Sequence, residues 1–106
     1  MVTIDDFRKI ELKIAEIKEV NDHPNADRLY IITLDVGDKS KQVVAGIRNS
    51  YQKEELIGKQ VVLVDNLEPA VLRGVESQGM LLAAQDEEGI VIVSPQRKTK
   101  LGSIVK

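Results

Sequence analysis

The chain has no cysteine and no tryptophan, and only one phenylalanine, two tyrosines, three prolines and one histidine among its 106 residues. Without cysteine there is no disulfide, no thiolate nucleophile and no cysteine-based metal centre. One histidine is too few for a metal site built on imidazoles. Phe7, Tyr30 and Tyr51 are the whole aromatic complement, which excludes the run of stacking rings that holds successive bases in single-strand binders. No apolar run approaches the roughly 20 residues of a membrane helix. The opening Met-Val-Thr-Ile-Asp-Asp lacks the basic-then-apolar order of a secretion signal. A cytoplasmic protein without membrane contact is expected, and the absence of cysteine does not contradict it. There is also no glycine-rich phosphate loop. A hydrolytic set can be assembled by residue type from Ser77, His23 and Asp27, but no nucleophile elbow accompanies it. No catalytic residue, metal or cofactor is therefore expected.

What is present is a balanced globular composition, with 42% apolar and 30% charged residues. At this length the simplest organisation is one domain over residues 1–106, burying roughly 60–70% of its unfolded surface. The net charge is −2, which argues weakly against a dedicated nucleic-acid binder, but the signs are unevenly spread. Residues 1–38 carry 5 basic and 9 acidic side chains, residues 39–62 carry 5 and 2, residues 63–96 carry 1 and 6, and residues 97–106 carry 4 and none. The two basic stretches are candidates for a local positive patch, set against the commoner outcome of an ordinary solvated mixture.

Strand patterning dominates. Ile10 to Ile14 alternates apolar and polar, and the pattern then shifts phase near Ala15 before Ile17 and Val20, which predicts a bulged first strand. Tyr30, Ile32, Leu34 and Val36 share one face of a second strand, and the Val36-Gly37-Asp38-Lys39 turn leads into a third over residues 41–46. Ser50 followed by Tyr-Gln-Lys-Glu-Glu-Leu and closed by Gly58 reads as one short helix with a serine N-cap. Residues 60–64 and 80–84 supply further strands, and residues 90–93 and 101–105 two shorter apolar runs. The expected class is all-β, a compact five-stranded barrel of the OB type with one short helix.

In such a barrel the ligand face lies between the loop joining strands 1 and 2 and the loop joining strands 4 and 5. His23-Pro-Asn-Ala-Asp-Arg-Leu29 occupies the first position and residues 67–79 the second. Asn25 can read a base edge or a ribose hydroxyl, and Arg28 can fork onto a phosphate or stack on a base. Ser77 and Gln78 offer hydrogen bonds beside Gly79, and Met80 a soft apolar contact to an unstacked base. Tyr30 and Lys41 are further candidates near the groove. Each has a quieter role available: Asn25 and Asp27 closing an Asx turn, Ser77 capping its loop, Met80 in the core, and Arg28 or Arg73 paired with a carboxylate such as Glu76. Asp86, Glu87 and Glu88 read as a solvated turn.

Three motifs carry a family resemblance: residues 23–29, Val-Val-Ala-Gly-Ile-Arg-Asn-Ser-Tyr at 43–51, and Leu-Arg-Gly-Val-Glu-Ser-Gln-Gly-Met-Leu-Leu-Ala at 72–83. In this order and spacing, with similar opening and closing segments, the chain resembles the tRNA-binding domain family. That family includes free-standing tRNA-binding proteins and the carboxy-terminal domain or β chain of methionyl-tRNA synthetase. The resemblance implies an OB fold that binds tRNA by shape. It also implies a homodimer joined through segments outside the barrel, and a methionyl-tRNA synthetase catalytic chain as a further partner. By motif position it implies RNA contacts from Asn25, Arg28, Arg73, Ser77 and Met80. The export-related CsaA-like chaperones resemble the same family and imply the alternative of an unfolded-peptide binder. Many members carry basic residues after the proline of the second loop, where this chain has Ala70 and Val71. Their absence implies weaker RNA binding and a flatter salt dependence.

Overall fold

The computed structural model describes residues 1–106, and no helix in it is long and apolar enough to cross a membrane. A short helix α1 (Ile4–Arg8) precedes the long strand β1 (Leu12–Asp22). Strands β2 (Tyr30–Asp35) and β3 (Ser40–Ala45) form the hairpin expected around Gly37. A second helix α2 (Lys53–Leu56) leads into β4 (Gln60–Val64). The chain continues through the hairpin β5 (Ala70–Leu72) and β6 (Val75–Ser77), the short β7 (Met80–Leu81), the hairpin β8 (Ala83–Asp86) and β9 (Gly89–Ile92), and the terminal β10 (Ile104–Val105). The main sheet runs β3-β2-β1-β4-β7, with β10 added to the start of β1. It curls into the nearly closed, OB-like barrel that the strand pattern predicts.

The phase shift near Ala15 is not a bulge. Ala15 pairs in register with Val61, and both faces of β1 are covered at this point. Ala15 and Ile17 point into the barrel core with Ile32, Leu34 and Leu63, while Leu12 and Ile14 join Val62 and Val64 in a smaller cluster on the opposite face. The register slips later, between Ile17 and Glu19, so that Ile17 and Val20 both reach the main core. Two-sided burial blurs the alternation that reveals a one-sided strand.

Three other expectations change. The helix after residue 50 is capped by Gln52, whose N–H donates to the Glu55 carboxylate at 2.7 Å. Ser50 is instead used at a distance, its Oγ accepting from the Ile90 N–H at 3.1 Å. The predicted strand 80–84 breaks at Leu82: β7 stays with β4, while β8 leaves the barrel to pair with β9. α1 is an additional helix, and it contributes no buried residue.

The seam between β3 and the segment after β6 is closed largely by side chains. Ser77 Oγ accepts the Val44 N–H at 2.9 Å and donates to Gly79 O at 3.0 Å. Gln78 Oε1 accepts the Gln42 N–H at 2.9 Å, and the Gln78 N–H donates to Gln42 O at 2.8 Å. These groups satisfy strand donors that a continuous ladder would otherwise pair. Gly79 is required by packing, because a Cβ there would sit 2.8 Å from both Leu63 Cδ1 and Val64 O. Since Val64 O is backbone and cannot yield, Gly79→Ala is expected to destabilise the fold by about 1–3 kcal/mol. Urea denaturation checks this, and an unchanged midpoint would refute the close approach.

Candidate nucleic-acid interface

The first loop is built around its histidine. His23 is buried, and the following Pro24-Asn25 turns the chain so that the Asn25 N–H donates to His23 Nδ1 at 3.0 Å. The imidazole nitrogen takes the place of the side-chain oxygen in an Asx turn. The other ring nitrogen, Nε2, lies 3.0 Å from Leu72 O on the β5–β6 hairpin. A carbonyl only accepts, so Nε2 carries the proton and Nδ1 is bare. The hairpin returns the contact, with Arg73 Nη2 donating to Asn25 O at 3.1 Å. The two loops expected on opposite rims of one groove are thus tied directly together.

At the hairpin tip, Arg73 (φ 53°) and Gly74 (φ 88°) are both left-handed. This is the two-residue type I′ turn that matches strand twist. The conformation suits glycine or asparagine and costs an arginine on the order of 1 kcal/mol. The turn projects Arg73 over the first loop, and together they line an open concavity of about 400 Å³ bounded by Asn25, Ala26, Asp27, Arg28, Leu29 and Arg73. Asn25, Arg28 and Arg73 are exposed, and neither arginine has a carboxylate within ion-pair distance. Two free guanidiniums against Asp27 leave one net positive charge in the concavity. An amide, two planar cations and turn backbone in an open cleft suit a phosphate-bearing, base-bearing ligand better than a compact apolar one.

The remaining candidates lie elsewhere. Ser77 is buried with its hydroxyl occupied in the seam, so its expected role as a direct contact is corrected to one within the fold. Gln78 serves the same seam, its amide nitrogen donating to Glu76 Oε1 at 3.2 Å. Tyr30 is buried, and its hydroxyl donates to Tyr51 O at 2.8 Å; its ring belongs to the core and offers no stacking face. Met80 is exposed, but it pairs with Val64, which pairs with Leu12 at the start of β1, whereas the His23 loop follows the end of that strand. It borders an apolar hollow with Phe7, Ile10, Leu67 and Leu82.

Lys41 belongs to a charged cluster that the residue pattern did not reveal. The Asp65 side chain is buried, and Lys13 Nζ and Lys39 Nζ lie 2.8 and 2.9 Å from its Oδ2. Lys41 Nζ is in ionic contact with Oδ1 at 2.6 Å, and it donates to Asp65 O and Gln78 O. Burial pushes the Asp65 carboxyl up, but the three ammonium groups outweigh it and hold the group well below the usual carboxylate range. The hydrogen bond to Asp65 in turn raises Lys13. The available signal was a lone acid ending the all-apolar run Val61–Val64, with Lys13 near the start of β1 and Lys39 and Lys41 around the start of β3. Arg48 and Lys53 are likewise engaged, at 3.4 and 3.0 Å from Asp22. The basic stretch 39–59 therefore does not form the open positive patch its composition suggested.

Comparison with known proteins gives this arrangement its setting. Residues 12–104 match the family described as "Putative tRNA binding domain". The chain belongs to the tRNA-binding domain family. It is 52% identical over 105 residues to the methionine–tRNA ligase of Thermococcus kodakarensis, covering 99% of this chain and 14% of that protein. The chain thus spans about a seventh of the ligase it matches. A MetRS-related protein from Pyrococcus horikoshii superposes with a TM-score of 0.93 at 31% identity, covering 100% of this chain and 98% of that one. The CsaA chaperone of Picrophilus torridus superposes with a TM-score of 0.94 at 31% identity, with 100% of both chains covered. The cleft lies within the residues that match this family.

Proposed function

We propose that this chain is a non-catalytic, cytoplasmic tRNA-binding module that receives tRNA at the cleft between the His23 loop and the β5–β6 hairpin. It acts beside or within a methionyl-tRNA synthetase. The observation that carries the reading is the convergence of Asn25, Arg28 and Arg73 on one concavity, with both guanidiniums free of carboxylates. Arg28 and Arg73 engage phosphates or stack on an exposed base, and Asn25 reads an adjacent edge or hydroxyl. With few charges in the cleft, affinity is modest, and two phosphate contacts give a slope of log affinity against log salt of about −1.4 to −1.8. Wild-type protein is expected to retard unfractionated tRNA at low salt and release it as salt rises. No retardation at low salt would overturn the proposal.

The reading includes a homodimer. α1 buries nothing within the chain, and its Ile4 and Phe7 lie with Ile10, Ile104 and Val105 around an exposed apolar hollow. That hollow adjoins the one bordered by Met80. An apolar surface drawn from both ends of the chain is suited to cover its copy. Phe7→Glu is expected to yield a monomer by light scattering while the barrel stays folded, and an unchanged mass would place any interface elsewhere. The match to CsaA supports a second reading, in which the same apolar surface holds unfolded polypeptide. Peptide binding there would persist in high salt, whereas tRNA binding would not.

A further inference from the structure

We infer that His23 is the positioning residue of the cleft: it carries no ligand contact itself but holds the β5–β6 hairpin so that Arg73 faces Asn25 and Arg28. This rests on the proposed tRNA reading of the site. Three bonds form a closed circuit: Asn25 N–H to His23 Nδ1, His23 Nε2–H to Leu72 O, and Arg73 Nη2 to Asn25 O. Of the residues in this circuit only His23 is buried, with 3% of its surface exposed, and its ring bridges 49 residues of sequence to reach Leu72. Its site on the hairpin is the residue immediately before the turn, so the bond fixes the direction in which the turn points.

The left-handed arginine is a second, independent observation. Arg73 occupies a conformation that a free hairpin with this sequence would tend to leave. The β5–β6 hairpin forms its own two-stranded sheet, and β5 is wholly exposed. Its attachments are, at the seam end, Gln42 Nε2 to Glu76 O together with the bonds of Ser77 and Gln78, and at the tip the His23 bond and the Arg73–Asn25 bond it supports. Removing the tip bond frees the arginine end while leaving the seam end in place. An entropic cost of ordering that end would then fall on the RNA complex.

Two substitutions separate the two ring nitrogens. In His23→Asn the side-chain oxygen sits where Nδ1 was and keeps the turn at Asn25, but nothing reaches Leu72. In His23→Gln the amide nitrogen sits where Nε2 was and keeps the reach to Leu72, but the turn acceptor is lost. Each is combined with Arg73→Ala, and binding to unfractionated tRNA is titrated at low salt. Arg73→Ala alone is expected to weaken binding about tenfold, as loss of one charge-assisted contact. His23→Asn should weaken it by a similar factor, and adding Arg73→Ala to it should cost little more, because the arginine is already misplaced. In the His23→Gln background Arg73→Ala should retain its full effect. Additive losses in the His23→Asn background, or unchanged binding by His23→Asn, would overturn the inference. Should His23→Asn fail to fold, loss of the Arg73 effect in His23→Gln would overturn it equally. Amide exchange without RNA tests the strap independently of the ligand: the amides of residues 72–75 should exchange about tenfold faster in His23→Asn. If wild-type protein bound no tRNA, the functional reading would fall while this exchange result still decided the strap.

Discussion

Asp65→Asn is expected to be the most destabilising of the conservative substitutions in this chain. It would lower stability by about 3 kcal/mol, the low end of what removing one member of a buried ion pair costs. The low end applies because Lys39, with 40% of its side chain exposed, can swing its ammonium into water. Lys13 and Lys41, 23% and 18% exposed, are more confined and would be left facing a neutral amide. The cluster also ties four segments together: β1, the β2–β3 hairpin, the end of β4, and Gln78 beyond β6. For a domain of this size the loss corresponds to a fall in Tm of about 12 °C or more. Because the folded carboxyl is held below its unfolded value, its contribution is complete above about pH 5, beyond the ordinary carboxylate pKa near 4. It is lost progressively as pH falls through and below that value. Wild-type stability should therefore decline on acidification more steeply than that of Asp65→Asn. Thermal melts from pH 7 to pH 2 check both statements, and an equal Tm at pH 7 would show that the cluster contributes nothing.

The Arg28→Ala/Arg73→Ala double substitution carries the largest expected effect on binding. Each guanidinium is exposed, has no carboxylate within ion-pair distance and lines the same cleft. Each charge-assisted contact contributes about 1.5 kcal/mol or somewhat more, so the pair should weaken tRNA binding on the order of 100-fold at low salt. The salt slope should fall toward zero, by about 0.7–0.9 for each phosphate contact removed. Neither side chain supports the core, so the melting curve should stay within a few degrees of wild type. Electrophoretic retardation or filter binding across a salt series reads both quantities. A double variant that kept wild-type affinity and slope would move the RNA site away from these loops.

The barrel was more legible in the sequence than the division of labour among its polar residues. Tyr30, Ile32, Leu34 and Val36 announce one face of a strand because only that face meets the core. Residues 12–17 mislead because Leu12 and Ile14 are buried against a second cluster on the other side. The loops at 23–29 and 72–79 stand out as polar segments next to apolar strands. Whether a hydroxyl or amide in them serves a ligand or the backbone depends on what the fold brings opposite. Ser77 and Gln78 meet Val44 and Gln42 across the seam, 33 and 36 residues away. The partner of His23 is likewise remote, so a lone histidine in a loop carries no local sign that it bridges two segments. Arg28 and Arg73 remain exposed without a carboxylate within ion-pair distance, although Arg73 also donates to Asn25 O, a contact the sequence did not signal.

The central claim is that the cleft between the His23 loop and the β5–β6 hairpin is where tRNA binds. An NMR titration of the isotopically labelled chain with unfractionated tRNA at low salt tests it most directly. The amides of residues 23–29 and 72–75 should shift or broaden first, and those around Phe7, Ile10 and Met80 should follow only weakly. Leading perturbations at Phe7 and Met80, with residues 23–29 unmoved, would contradict it.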